Sequence, residues 1–230
     1  MSTRESEARY EARREAAPAV IIAAVVLTAL ALVSWKKGWV LVELSWWTWL
    51  VLAAPGLLVF VDLWLGTRGV VALVRARLTS LVLLGVVVLG NLIGVVLLVA
   101  ALVTTSNNNL GGGQLLFTTA AIWTANVIVL GISFWEVDDG GPFERASPRH
   151  KRTTPDFQFP QDENPQLAHE DWPPRVWDYT YMSLTSASAF SPTDAMPLTL
   201  RAKLLMGTES TVSLVLIVLV TARAVNVLGS

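Results

Sequence analysis

The sequence has no cysteine and only two histidines in 230 residues. Without cysteine the chain can form no disulfide, thiolate metal site or iron–sulfur cluster, and it has no cysteine nucleophile. The two histidines, His150 and His169, lie in a polar stretch that contains no second metal-ligating pattern. We therefore expect no metal centre and no other cofactor.

Charge is also scarce, because Asp, Glu, Lys and Arg make up 15% of the residues while apolar residues make up 53%. This composition is typical of a membrane protein rather than of a soluble domain. The 17 basic residues nearly balance the 18 acidic ones, so the charge favours no nucleic-acid partner. The sequence also lacks a Ser–His–acid set, an HExxH motif, a phosphate-binding glycine loop and paired intramembrane aspartates. We therefore expect a protein that is not an enzyme.

Five apolar stretches are long enough to cross a bilayer, since about 20 helical residues span a hydrocarbon core about 30 Å thick. They run approximately from Ala16 to Trp35, Leu44 to Leu65, Leu78 to Val103, Leu115 to Trp135 and Leu204 to Val225. We predict that all five are membrane-spanning helices and that the lipid bilayer is the chain's main partner.

Small and polar residues inside these stretches indicate how the helices pack. Gly90 and Gly94 form a GxxxG pair, which allows another helix to approach closely. Asn91 and Asn126 lie in mid-span, where an amide needs a hydrogen-bonding partner. We expect both asparagines to hydrogen-bond between helices.

The basic residues predict the orientation of the chain. With a cytoplasmic N-terminus, 14 of the 17 Lys and Arg residues lie on the cytoplasmic side, and only Lys36, Lys37 and Arg223 do not. We therefore predict an integral membrane protein with its N-terminus in the cytoplasm.

Composition divides the chain into six segments. They are a charged cytoplasmic segment 1–15, a three-span bundle 16–103, a short loop 104–114, a helix 115–135, a polar extramembrane loop 136–177 and a C-terminal segment 178–230. The polar loop is rich in proline, glycine and charge and lacks periodicity, so we expect it to be partly ordered at best.

The C-terminal segment begins with an aromatic stretch that fits neither a span nor a plain loop. Its moderately apolar part, from Tyr179 to Phe190, is too short to cross the bilayer, and Pro192 and Pro197 follow it. A half-helix that enters the bilayer and returns as irregular chain is permitted where protein or a water-filled cavity covers the backbone. We therefore predict an all-α membrane protein with five spanning helices and one re-entrant half-helix before the last span.

This arrangement of span, polar loop, aromatic half-helix, return and final span resembles the pore module of potassium channels. Asp194 aligns with the aspartate that ends the channel filter, T-V-G-Y-G-D, and Pro197 aligns with the proline that follows it. The layout also resembles an uncharacterised bacterial membrane protein family with a potassium-channel-like C-terminal module. The resemblance implies a protein of the bacterial inner membrane, with a pore loop and passive permeation of a monovalent cation through a homotetramer.

The filter itself departs from the channel pattern, because both glycines and the tyrosine are missing. Glycines adopt filter conformations that other residues reach only at a cost, so the resemblance does not imply potassium selectivity. The filter-like residues that we expect to line a permeation path are Ser188, Ala189, Phe190, Ser191, Pro192, Thr193 and Asp194.

Glu209 is the strongest candidate for a functional ionisable residue inside a span, because burying a charged group in hydrocarbon is costly. It attracts cations if it lines a vestibule, and otherwise it is an interfacial residue paired with Arg201, Lys203 or a polar neighbour.

Three alternatives remain open at the level of sequence. One is a non-conducting channel-like scaffold that binds a partner through its polar loop. A secondary transporter is another, although the first four spans show no repeat that matches a second half. The third concerns orientation, because the basic residues place the polar loop inside whereas potassium channels have it outside. There are two ways to reconcile these observations. Either the pore loop enters from the cytoplasmic side, as in ionotropic glutamate receptors, or the rule that basic residues face the cytoplasm fails for this long loop.

Overall fold

A computed structural model describes residues 14–39, 45–54, 57, 77–104, 112–145, 155–167, 172–188 and 194–228. The expected loop 104–114, the second span beyond Leu57 and the filter-like residues 189–193 lie largely or wholly outside these residues.

The described residues are mainly helical. Helix α1 is Ala17–Lys37, α2 covers 47–54, α3 is Arg77–Thr104 and α4 is Gly112–Val137. The one-turn helices α5 and α6 are Pro142–Arg145 and Pro160–Glu163, α7 is Val176–Ser188, and α8 is Leu200–Leu228. Short 3₁₀ turns occupy Asp138–Gly140 and Pro165–Leu167.

Three helical stretches among the described residues are long and apolar enough to cross a membrane: Ala17–Lys37, Gly113–Gly140 and Leu200–Ala222. They correspond to the first, fourth and fifth predicted spans. In α3 the stretch Leu84–Ala100 is apolar but shorter than these three. The crossing predicted for the second span remains a prediction.

Helix α1 ends at a glycine for a local reason. Gly38 has φ of 64°, a left-handed conformation that costs glycine little. The Trp39 amide donates to the Ser34 carbonyl at 2.8 Å, which satisfies an end carbonyl of the helix.

The chain divides into two compact units, and the first comprises residues 20–129 and 211–230. Its core joins α1, α2, α3 and α4 through residues such as Leu30, Leu98 and Ile122, which are almost fully buried. A methyl group at Gly90 would come within 2.6 Å of Leu52 Cδ2, so the predicted GxxxG pair does pack closely against α2. The Asn91 amide donates to the Asn126 side-chain oxygen at 2.8 Å, which confirms the predicted hydrogen bond between helices.

The second unit comprises residues 1–19 and 130–210. Its aromatic core includes Phe134, Phe157, Phe159 and Tyr179. Two short strands, β1 (Phe157–Gln158) and β2 (Met196–Pro197), pair antiparallel with Phe157 opposite Pro197. The expected polar loop 136–177 therefore contains more regular structure than its composition predicts, because Phe157 and Phe159 enter this core.

Candidate functional site: a short helix between two long ones

Helix α7 begins at Val176, two residues after Pro174, and a side chain of its own first turn caps it. The Asp178 carboxylate accepts a hydrogen bond from the Arg175 amide at 2.7 Å, which satisfies a free N–H at the start of the helix. The helix has 13 residues, so it is about 20 Å long. That length is too short for the roughly 30 Å hydrocarbon core.

On one side α7 lies directly against the backbone of α4. A methyl group at Gly131 would come within 2.8 Å of the Thr180 Cα and 3.2 Å of the Thr180 nitrogen. A side chain at this position would therefore displace one of the two helices.

On another side α7 contacts α8 through polar side chains. The Ser183 hydroxyl donates to a carboxylate oxygen of Glu209. One turn further along, the hydroxyls of Ser186 and Ser210 are 3.0 Å apart, and the Ser210 hydroxyl also lies 3.2 Å from the Ser186 carbonyl. We call these four residues the polar seam. Polar pairs of this kind hold helices together where the surroundings are apolar.

Of the residues expected to line a permeation path, the structure describes the two ends. Ser188 is the last residue of α7, and its hydroxyl donates to the Leu184 carbonyl. Asp194 is exposed, and Ala195 beside it is buried. Glu209 is fully buried in the seam rather than open to solvent.

A buried carboxylate, Asp138, ties the start of α7 to the end of α4. It accepts hydrogen bonds from the Asp156 and Phe157 amides, at 2.7 and 3.1 Å, and from the Tyr179 hydroxyl at 2.5 Å. The Tyr179 ring packs edge-on against Phe159 with ring centres 5.2 Å apart. The tyrosine therefore anchors the helix by both its ring and its hydroxyl.

A second buried carboxylate, Asp156, holds the start of α8. The Arg201 guanidinium donates to both of its oxygens, at 2.5 and 2.6 Å, and the Thr199 hydroxyl donates at 2.5 Å. Burial raises the pKa of Asp156, but the hydrogen bonds from Arg201 and Thr199 and the charge of Arg201 outweigh it, and the net pKa lies below the usual 3.8. We call Asp138, Asp156, Tyr179 and Arg201 the carboxylate clamp.

Arg145 contacts two members of the carboxylate clamp, Asp138 and Tyr179. It donates to the Trp135 and Asp138 carbonyls, at 2.8 and 2.5 Å, and so satisfies carbonyls at the C-terminal end of α4. Its guanidinium carbon lies 5.5 Å from the centre of the Tyr179 ring, within reach of a cation–π contact.

The sequence does not predict this clamp. Asp138 and Asp156 are separated by 18 residues, and Asp156 and Arg201 by 45, so no local period connects them. The one available signal is the run Asp138-Asp139-Gly140-Gly141 directly after a predicted span, which indicates a sharp turn.

A cavity of about 100 Å³ lies beside α7. Its lining comprises Phe159, Pro160, Gln161, Asp178, Tyr181, Met182, Thr185, Asp194 and Ala195. No group of three or more acidic or histidine side chains in the described part of the chain is arranged to hold a metal ion.

The comparisons with known proteins add no relative to this picture. No protein-family model, no curated protein and no solved structure matches the chain.

Proposed function

We propose that the chain is a channel-like integral membrane protein of the bacterial inner membrane, with a cytoplasmic N-terminus. Four copies form a central pore through which monovalent cations permeate passively. In this proposal α4 is the outer helix, α7 is a re-entrant half-helix, and α8 lines the pore behind a non-standard filter formed by residues 188–194.

The observation that carries the proposal is the position of α7 along α8. Ser186, in the last turn of α7, pairs with Ser210, which lies near the middle of the 23-residue stretch Leu200–Ala222. Ser210 is ten residues, or about 15 Å, beyond Leu200, which is half the thickness of the hydrocarbon core. If α8 crosses the bilayer, the C-terminal end of α7 is therefore at mid-depth.

The direction of α7 supports cation binding at that depth. The C-terminal end of a helix carries a partial negative charge, and in this proposal it is the end of α7 that lies deepest. Asp194 is the last of the filter-like residues and adds a carboxylate at their far end. Both charges favour a cation over an anion along the return segment.

The exposure of α8 supports an assembly of several copies. Only 17% of its apolar span is buried within the chain, compared with 67% for the span in α4. A single pore-loop unit cannot enclose a pore, and closed rotational symmetry is the usual way in which copies combine. A homotetramer is the assembly of the channels that the sequence resembles.

The proposal is tested by ion flux into liposomes. We expect wild-type protein to give cation flux above that of empty vesicles, Asp194→Asn to reduce it several-fold, and Glu163→Gln, an exposed carboxylate in α6, to leave it unchanged. Flux equal to that of empty vesicles, or reduced equally by both substitutions, would contradict the proposal.

A second function, a non-conducting scaffold that binds a partner through its polar loop, is favoured by one observation. The carboxylate clamp fixes the loop residues Asp156 and Phe157 against the helices, so the loop offers a defined surface. For the scaffold we expect no flux together with specific capture of a protein by residues 155–167, and loss of that capture when those residues are replaced.

A further inference from the structure

Glu209 is buried without a partner for one of its two oxygens. The side chain is fully buried, one carboxylate oxygen accepts from Ser183, and the other, Oε2, has no hydrogen-bond partner. One of the two roles that the sequence left open, attraction of cations from a vestibule, requires an exposed carboxylate. The seam position requires a different role.

No described charge balances an ionised Glu209. The other charged or titratable groups on α4, α7 and α8 are Glu136 on α4, Asp178, Tyr179 and Tyr181 on α7, and Arg201, Lys203 and Arg223 on α8. Arg201 is paired with Asp156, and Lys203 is exposed in the first turn of α8. Among the described residues, no group hydrogen-bonds to Oε2.

An unpaired ionised carboxylate is far more costly to bury than a neutral carboxyl group, because burial removes the water that solvates the charge. The described residues provide Glu209 with one hydroxyl donor and no basic group. These surroundings favour the neutral, protonated carboxyl group over the carboxylate. We propose that Glu209 is an intramembrane proton-binding site, in which a proton is held on the carboxyl group between α7 and α8.

The bound proton keeps the polar seam closed. When the proton leaves, the carboxylate must gain water or a cation, and both require α7 and α8 to separate at Ser183. Proton binding and the position of α7 are therefore coupled. This coupling affects permeation only if the proposed function holds, but the proton site does not depend on it.

Infrared difference spectroscopy tests the site without measuring conduction. We expect wild-type protein in lipid vesicles at neutral pH to show the carbonyl stretching band of a protonated carboxyl group. The band should shift when the protein is made with isotope-labelled glutamate, disappear in Glu209→Gln, and persist in Glu163→Gln, where the carboxylate is exposed.

A wild-type spectrum without the band would overturn the proposal, as would a carboxylate band at Glu209 that shifts when sodium is added. Folding of Glu209→Gln is checked by adding Ser186→Cys and Ser210→Cys, whose disulfide requires an intact seam. The isotope shift uses the unsubstituted protein, so it tests the site even if the variant does not fold. Because flux is a separate measurement, failure of the proton site and failure of the proposed function are distinguishable.

Discussion

Asp138 and Asp156 are both buried but are stabilised by different donors. Asp138 is surrounded by two backbone amides and a phenol, whereas Asp156 is paired with a guanidinium and a hydroxyl. A hydrogen bond to a charged group contributes about 1.5–3 kcal/mol, more than a neutral one. Together the two side chains connect the end of α4, the start of α7 and the start of α8.

Replacing Asp156 with asparagine should weaken this connection. The amide cannot accept two hydrogen bonds from Arg201, and its own donor would face the guanidinium. We expect a loss of about 2 kcal/mol and a melting temperature lowered by about 4–8 °C in detergent. Glu163→Gln, at an exposed site, should melt like the wild type, and equal melting of both variants would contradict the role of the clamp.

The pH dependence of this stabilisation has a defined sign. The pKa of Asp156 is below its usual 3.8 in the folded protein, so the stabilisation is complete above that value and is lost as pH falls through the lower folded-state pKa. We expect the difference in melting temperature between wild type and Asp156→Asn to be constant from neutral pH to about pH 4 and to narrow below it. A difference that already narrows between pH 7 and 5 would contradict this assignment.

At the scale of elements, α7 is held between α4 and α8 by contacts of opposite character. Against α4 the absence of a side chain at Gly131 allows backbone contact, and against α8 the polar seam provides hydrogen bonds. Neither contact depends on hydrophobic burial, which provides little driving force between helices in lipid.

Sequence patterns predict these elements better than their contacts. The apolar runs predict α1, α4 and α8 to within a few residues of their ends, and the aromatic stretch predicts a short helix where α7 lies. Hydropathy is a local property, so it cannot predict that Ser186 meets Ser210 or that Phe157 pairs with Pro197. Those contacts depend on how distant segments pack.

Two glycines of α4 provide a matched test of the close approach. Gly131→Ala places a methyl group 2.8 Å from the Thr180 backbone, so we expect a loss of about 1–3 kcal/mol and a lower melting temperature. Gly113→Ala has no heavy atom within 4 Å of the new methyl group and should be neutral or slightly stabilising. Similar melting of the two variants would show that α7 does not contact α4 at Gly131.

The polar seam can be tested by crosslinking, because the chain has no native cysteine. The Ser186 and Ser210 hydroxyls are 3.0 Å apart, so the double variant Ser186→Cys, Ser210→Cys should form a disulfide rapidly under mild oxidation. Pairing Ser188→Cys with Ser210→Cys serves as the control, and we expect it to crosslink more slowly. Equal rates would contradict the register of α7 on α8.

At the scale of the whole molecule, the proposed pore requires more than one copy. The apolar side chains of Leu204 and Val218 on α8 are more than half exposed in the single chain, at 61% and 53%. Either lipid or neighbouring copies must cover this surface. We expect native mass spectrometry of protein extracted in mild detergent to give four copies, and a monomer in both detergent and lipid would exclude a shared central pore.

The central claim is that α7 enters the bilayer and the chain returns on the same side. Spin labels introduced one at a time at Trp177, Tyr181, Leu184 and Ser188, followed by Asp194, can report the depth of each position from collisions with oxygen and with a water-soluble relaxing agent. We expect depth to increase from Trp177 to Ser188, reaching the bilayer centre, and to decrease again at Asp194. Two results would contradict this claim: all labels lying near the membrane surface, or a series of depths showing that the chain crosses to the opposite side of the bilayer.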